Sequence, residues 1–315
     1  MQTLAALAAN DIMPADDISA PEGSMRRLSV SHSSVYRYAR PVTFGPHRLM
    51  FRPRDSHDLR LVETALTITP NAAIRWHHDV FGNSIAIAEF ETVSDTLRFD
   101  SRIVVEPYSL ENPEFQLEEY ARTYPFSYPI SEVPDLGRCI ERHYPDPDHV
   151  VDAWAKRFVQ GRNAETTQVL RDMTAAIKSE FAYSRRYAVG TQMPTETLAL
   201  GGGSCRDLAL LMMEAARTLG LAARFVSGYL YDPALEGAGD GVVGAGETHA
   251  WVQIYLPGAG WVEYDPTNGT VGGPNLIRVA VSRDPSQAMP LTGTYFGAPD
   301  DFIDLSVDVT VVSSD

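Results

Sequence analysis

Gly201-Gly-Gly-Ser-Cys-Arg-Asp-Leu-Ala-Leu-Leu-Met-Met-Glu-Ala-Ala-Arg-Thr-Leu-Gly220 is the stretch from which the rest of the chain can be read. Leu208, Leu211, Met212, Ala215 and Leu219 recur at helical spacing, so the run from Cys205 to Leu219 reads as a helix. Gly220 stands where a helix end favours glycine. Cys205 opens that helix, where free N–H groups and the positive end of the dipole favour a thiolate and can hold the oxyanion of a tetrahedral intermediate. The three glycines before Ser204 are expected to let the backbone approach a substrate closely. Taken alone, Cys205 reads better as a small buried hydrophobe. Its neighbours in the fold decide the matter.

Downstream, Ala223 to Leu230, His249 to Tyr255 and Trp261 to Tyr264 read as strands, the last two joined by the Pro257-Gly-Ala-Gly260 turn. An antiparallel hairpin of this length sets His249 and Asp265 side by side at the strand ends. An imidazole needs a carboxylate on its far nitrogen to fix its tautomer and stabilise its charged form, and a strand neighbour supplies one rigidly. Individually, His249 reads equally well as a partly buried polar side chain, and Asp265 as a turn residue before Pro266. Upstream, Val150, Trp154 and Phe158, then Val169, Met173, Ile177 and Phe181, mark two more helices.

The first third of the chain alternates apolar and polar residues, as in Leu61-Val-Glu-Thr-Ala-Leu-Thr-Ile-Thr69 and Leu97-Arg-Phe-Asp-Ser-Arg-Ile-Val-Val105, with a turn signal at Asp79-Val-Phe-Gly-Asn83. The expected organisation has four parts. Residues 1–27 form a disordered leader, with Met25 a candidate natural start, and 28–105 an antiparallel β-domain. Residues 106–160 form a connector punctuated by seven prolines from Pro107 to Pro147, and 161–315 the catalytic core with C-terminal strands at 279–281 and 305–312. The fold class is α+β.

Bulk properties exclude several functions. With 315 residues, 44% of them hydrophobic, the chain can bury a sizeable core. A net charge of -15 and a pI near 4.9 argue against nucleic acid and anionic membrane as partners. Cys139 and Cys205 are the only cysteines, too few for a disulfide framework or a zinc cluster, and a reducing, cytoplasmic setting is expected. His77 and His78 point to opposite faces of a strand, and Asp232, Glu236, Asp240 and Glu247 lack the spacing of a calcium loop, so no metal or other cofactor is expected.

Four ordered blocks make the chain resemble the bacterial transglutaminase-like superfamily, which includes candidate cysteine proteases. They are Gly202-Gly-Ser-Cys205-Arg-Asp-Leu-Ala209, the continuation from Ala216 to Leu230, Thr248-His-Ala-Trp-Val252 and Trp261-Val-Glu-Tyr-Asp-Pro-Thr-Asn268. The resemblance implies a papain-like core with Cys205 as nucleophile, His249 as general base and Asp265 as orienting carboxylate. Tyr36-Arg-Tyr-Ala-Arg-Pro41, Arg52-Pro-Arg54 and Asp79 to Asn83 resemble the β-rich domain that precedes this core in bacteria, and Arg283-Asp284 and Pro290 to Gly293 its usual tail. The long, acidic, Gly-rich stretch from Asp232 to Glu247 departs from the pattern.

The expected chemistry is acyl transfer from a peptide, isopeptide or side-chain amide through a thioester on Cys205. Hydrolysis is favoured over transfer to an amine, because animal transglutaminases surround this core with further domains while here about fifty residues follow Asp265. Tyr183 and Gln192 are candidate oxyanion or substrate-binding donors, and Asp207 reads as a structural residue favouring the helix dipole. The rival reading is a catalytically silent interaction module. It would be expected to lack one of Cys, His and Asp, and all three are present.

Overall fold

Long antiparallel strands dominate the first third of the chain, as the period-two pattern requires. The computed structural model describes residues 26–108, 114–161, 163–186, 188–233 and 246–314, so nearly all of the expected leader and most of the acidic stretch lie outside it. β1 (Arg27–Phe44) pairs with β6 (Ser94–Pro107), which pairs with β3 (Leu59–Thr69). A smaller sheet runs β16 (Leu291–Thr292), β2 (His47–Leu49), β5 (Ser84–Glu89), β4 (Ala73–His78). Phe44, Leu49, Phe51, Ala86, Leu97 and Phe99 fill the space between the two sheets.

The C-terminal strand corrects the expected division of the chain. β18 (Phe302–Ser314) does not extend the catalytic sheet; it lies antiparallel to β1, from Arg27 opposite Ser314 to Tyr38 opposite Phe302. Its alternation explains the choice. Val309 and Val311 are buried in one cluster with Leu28 and Val30 of β1, while Asp304 stays outside and pairs with Arg37. β17 (Tyr295–Phe296) also pairs with β1, so the tail belongs to the N-terminal sheet.

The second body is a five-stranded antiparallel sheet in the order β14 (Thr270–Val271), β13 (Gly260–Asp265), β12 (Thr248–Leu256), β11 (Ala223–Leu230), β15 (Leu276–Ser282). α5 (Cys205–Thr218) packs on this sheet, and α2 (Val150–Lys156) and α3 (Thr166–Glu180) pack on α5. The expected single apolar face of α5 is therefore an underestimate: Leu208 through Arg217 are all buried. Inside, Glu214 and Arg217 form a fully buried ion pair at 2.8 Å. Arg217 also donates to the carbonyls of Cys139, Ala223 and Arg283, and Glu214 accepts from the amides of His143 and Tyr144. Such full pairing is what makes a buried charge tolerable.

Two short helices went unread in the sequence, α1 (Val133–Ile140) and α4 (Pro194–Leu200). Each begins on a proline in its first turn. A proline there supplies a preset φ and loses no hydrogen bond, so Pro134, read as punctuation in the connector, helps to start a helix. The connector is tied down by a two-residue pairing of β7 (Thr123–Tyr124) with β8 (Ala164–Glu165). No helix among the described residues is long and apolar enough to cross a membrane.

The two bodies share a core. Leu28, Val30, Ile103 and Val105 from the N-terminal sheet meet Tyr229, Tyr231, Ile277 and Val279 from the catalytic sheet. The Asp79–Asn83 turn adds a polar latch. The Asp79 carboxylate accepts from the amides of Phe81 and Asn83. The Asn83 side chain then donates to the Val281 carbonyl at 2.7 Å and accepts from the Val281 amide at 2.9 Å, acting as one more strand partner for β15. Asn83 is buried. Replacing it with Ala leaves both Val281 groups unpaired away from water, and urea unfolding of Asn83→Ala is expected to show a loss of about 2 kcal/mol. A loss below about 0.5 kcal/mol would mean that the latch does not hold the bodies together.

Candidate active site

The start of α5 is held by a carboxylate. Asp207, fully buried, accepts five hydrogen bonds: from the Ser204 amide and hydroxyl at 2.9 and 2.7 Å, the Gln192 amide at 2.7 Å, and Arg186 Nε and Nη2 at 3.1 and 3.0 Å. Burial alone would raise its pKa, but Arg186 and the other donors hold it below the usual carboxylate range. The residue is structural, as expected, but its role is wider than favouring a dipole. It joins the nucleophile's helix to the 186–192 segment.

The glycines before Ser204 answer to the protein rather than to a substrate. Gly201 takes the left-handed conformation that ends α4, at φ 62°. A Cβ on Gly202 would lie 2.4 Å from the Ala182 carbonyl, and one on Gly203 would lie 2.8 Å from the Asp207 Cβ. That closeness lets β10 (Gly202–Gly203) pair in parallel with β9 (Ala182–Tyr183), which sets Tyr183 next to the helix start.

The expected hairpin forms. β12 and β13 pair from Val252 opposite Tyr264 to Leu256 opposite Gly260, and His249 and Asp265 meet at its open end. His249 Nε2 lies 2.8 Å from Asp265 Oδ2, both side chains without solvent exposure. The other Asp265 contacts come from the Asn268 side chain at 2.8 Å and the amides of Thr267 and Asn268 at 3.0 and 3.3 Å. Trp251 stacks beside the imidazole, ring centroids 5.9 Å apart. His249 Nδ1 is buried without a hydrogen-bond partner among the described residues, and Cys205 is close enough to act on the ring's charge. Burial would depress the imidazole, yet the Asp265 charge and hydrogen bond, with Cys205, raise it well above its ordinary value. Burial would likewise raise Asp265, and the His249 charge and Asn268 hold it down.

Cys205 and His249 line a cleft of about 490 Å³ between the two bodies. Tyr183, Arg185, Arg186 and Arg206 contribute from the helix side, Glu247 and Asp284 from the sheet side, and Leu305 and Val307 of β18 from the N-terminal sheet. Tyr183 is half-buried, and burial, then Cys205 and Glu247, push its phenol up to about 12, so it stays protonated and able to donate. Gln192 is not among the lining residues; its amide is spent on Asp207 and its side-chain carbonyl accepts from Thr197. Cys139 lies elsewhere, packed with Tyr128 and Leu136, and burial pushes its thiol up. His77 and His78 stand exposed on β4, and no cluster of three metal-ligating side chains occurs among the described residues. Arg186 and Asn268 were missed in the sequence. Asn268 had a local signal, an amide side chain three residues beyond Asp265, whereas Arg186 had none.

A thiol at a helix start, facing an imidazole and carboxylate on an antiparallel sheet, defines the papain-like class of α+β folds. Residues 28–106 match the bacterial transglutaminase-like N-terminal region and residues 152–266 the transglutaminase-like superfamily. An uncharacterized protein of Mycobacterium tuberculosis is 30% identical over 315 residues, covering 96% of this chain and 99% of the relative. Another from Mycobacterium leprae is 26% identical over 290 residues, covering 91% and 99%. Among solved structures, a candidate cysteine protease from Cytophaga hutchinsonii shares the fold at a TM-score of 0.68 and 17% identity, covering 92% of this chain and 91% of that one. The chain belongs to the transglutaminase-like superfamily and carries the bacterial N-terminal region with it.

The paired shifts of His249 and Asp265 predict a pH dependence. The raised imidazole adds stability that is complete below its ordinary value of 6.5 and is lost as pH climbs through the elevated folded value. The lowered carboxylate adds stability above its ordinary 3.8 and loses it as pH falls through the depressed folded value. The pair is therefore fully effective between those two ordinary values. Asp265→Asn should cost about 3 kcal/mol in urea unfolding near pH 5 and clearly less near pH 10. A loss independent of pH would show that the folded imidazole carries no charge.

Proposed function

We propose that this chain is a cysteine-dependent amide-bond enzyme acting on a peptide, isopeptide or side-chain amide. The observation that carries the reading is the buried His249 with Nε2 on Asp265, in the same cleft that Cys205 lines. In that arrangement the imidazole, kept charged by Asp265, already holds the thiol proton, and the sulfur attacks the carbonyl carbon as the thiolate. The resulting oxyanion takes hydrogen bonds from the first amides of α5 and from the Tyr183 hydroxyl. As the C–N bond breaks, Nδ1–H protonates the leaving amine, and an acyl thioester remains on Cys205. Attack by water, its proton taken by His249, releases the acid and restores the thiol.

Hydrolysis is preferred over transfer to a second amine. The cleft opens beside exposed Val189, Leu305 and Val307, so water at its bulk concentration reaches the thioester. Limiting iodoacetamide near neutral pH should label Cys205 at least about tenfold faster than Cys139, and His249→Ala should slow that labelling. Equal rates in the wild type would remove Cys205 as the nucleophile. Once a cleaved peptide is found, free acid should exceed the amine adduct even with added primary amine, as read by mass spectrometry. A dominant adduct would convert the hydrolase into an acyltransferase with the same three residues.

A further inference from the structure

The charges lining the cleft do not all have partners. Arg186 is held by the Asp207 carboxylate through two of its nitrogens. Arg185 lies 3.5 Å from Glu247. Asp284 accepts from the amide and hydroxyl of Ser286 and from the Tyr144 hydroxyl. Arg206 differs from all of these. Its contacts among the described residues are from Nη2 alone, to the carbonyls of Arg186 and Ala188 at 3.0 and 3.4 Å, and no carboxylate pairs with it. Carbonyls orient a guanidinium without cancelling its charge, and Nε and Nη1 have no acceptor among the described residues.

Its position sharpens the point. Arg206 follows the nucleophile in the first turn of α5, where the positive end of the helix dipole disfavours a cation. A side chain needed only to brace the 186–188 carbonyls could be a neutral amide. The cleft thus holds, next to Cys205, a guanidinium that no carboxylate among the described residues pairs with, on a protein whose net charge is -15. The remote negative charges act weakly there, because physiological salt screens exposed charges beyond about 8 Å.

We infer that Arg206 is an anion-binding, specificity-determining residue, and that the acyl donor carries a carboxylate within a few bonds of the carbonyl that Cys205 attacks. The inference rests on Cys205 being the nucleophile. A carboxylate there takes the free guanidinium donors as charge-assisted hydrogen bonds, which are stronger than neutral ones and geometrically selective. An acidic peptide or acidic side-chain amide satisfies this. A neutral donor of the same size leaves the charge unmatched.

Two alkylating reagents of nearly equal size isolate the effect without a known substrate. Iodoacetate is anionic and iodoacetamide neutral, and each reacts at sulfur with loss of iodide. Second-order rate constants at Cys205 are to be measured by peptide mapping on the full chain for wild type, Arg206→Gln and Arg206→Lys at low salt. The iodoacetate to iodoacetamide ratio should fall about tenfold in Arg206→Gln, survive largely in Arg206→Lys, and decline with added salt in the wild type. Loosening of the 186–188 segment would alter both reagents together and leave the ratio unchanged. An equal ratio in wild type and Arg206→Gln, with Cys205 still reacting faster than Cys139 toward iodoacetamide, would overturn the anion site and spare the nucleophile. Slow labelling of Cys205 by both reagents would overturn both.

Discussion

The catalytic end of this molecule depends on one buried charge. Asp207 sits without solvent exposure and collects five hydrogen bonds from three residues, Arg186, Gln192 and Ser204. An isolated carboxylate in that position would be prohibitively costly, so its partners are obligatory rather than incidental. Because they are obligatory, Ser204 is fixed at the helix start, Arg186 is drawn inward, and the 186–192 segment becomes the cleft wall. Arg206 then finds its two carbonyl acceptors on that same segment. The helix start, the wall and the cation are set by a single carboxylate.

The meeting of His249 with Asp265, and the place of Cys205 beside them, could be read in the sequence because each lies at an element boundary with its own local signal. Cys205 follows a glycine run and precedes an apolar helix, His249 opens a strand, and Asp265 closes the next one before a proline. Two-fold and 3.6-fold periodicities also mark most strands and the helices α2, α3 and α5. What stayed hidden were contacts between segments without periodicity. Nothing in the residues around Arg186 announces Asp207, and nothing in Asn83 announces Val281. Gln192 reads as a side-chain donor from its position alone, and only the geometry shows that it is not among the residues lining the cleft.

The glycines show a related limit. A run of three before a nucleophile suggests room for a substrate, whereas Gly202 and Gly203 make room for the Ala182 carbonyl and for Asp207. Sequence reveals that a side chain is unwelcome at such a position but not what would collide with it. The tail is similar. The alternation in β18 is plain to read, yet an apolar face can be satisfied by either sheet, and the hydrophobic pattern carries no address.

That tail has a consequence for how the protein is made. Arg26 and Ser313 are hydrogen-bonded across 287 residues, and β18 covers an edge of β1 that leaves the ribosome long before it. During synthesis β1 can pair with β6 early, but its other edge waits until β18 has been made. An unpaired strand edge with apolar neighbours is a template for wrong partners, and chains that close over such distances fold slowly. Leu305 and Val307 of the same strand line the cleft, so the cavity acquires that wall only after β18 emerges. A nascent chain therefore has its nucleophile long before it has a finished cleft, and a strand made well after the catalytic residues brings the site to completion.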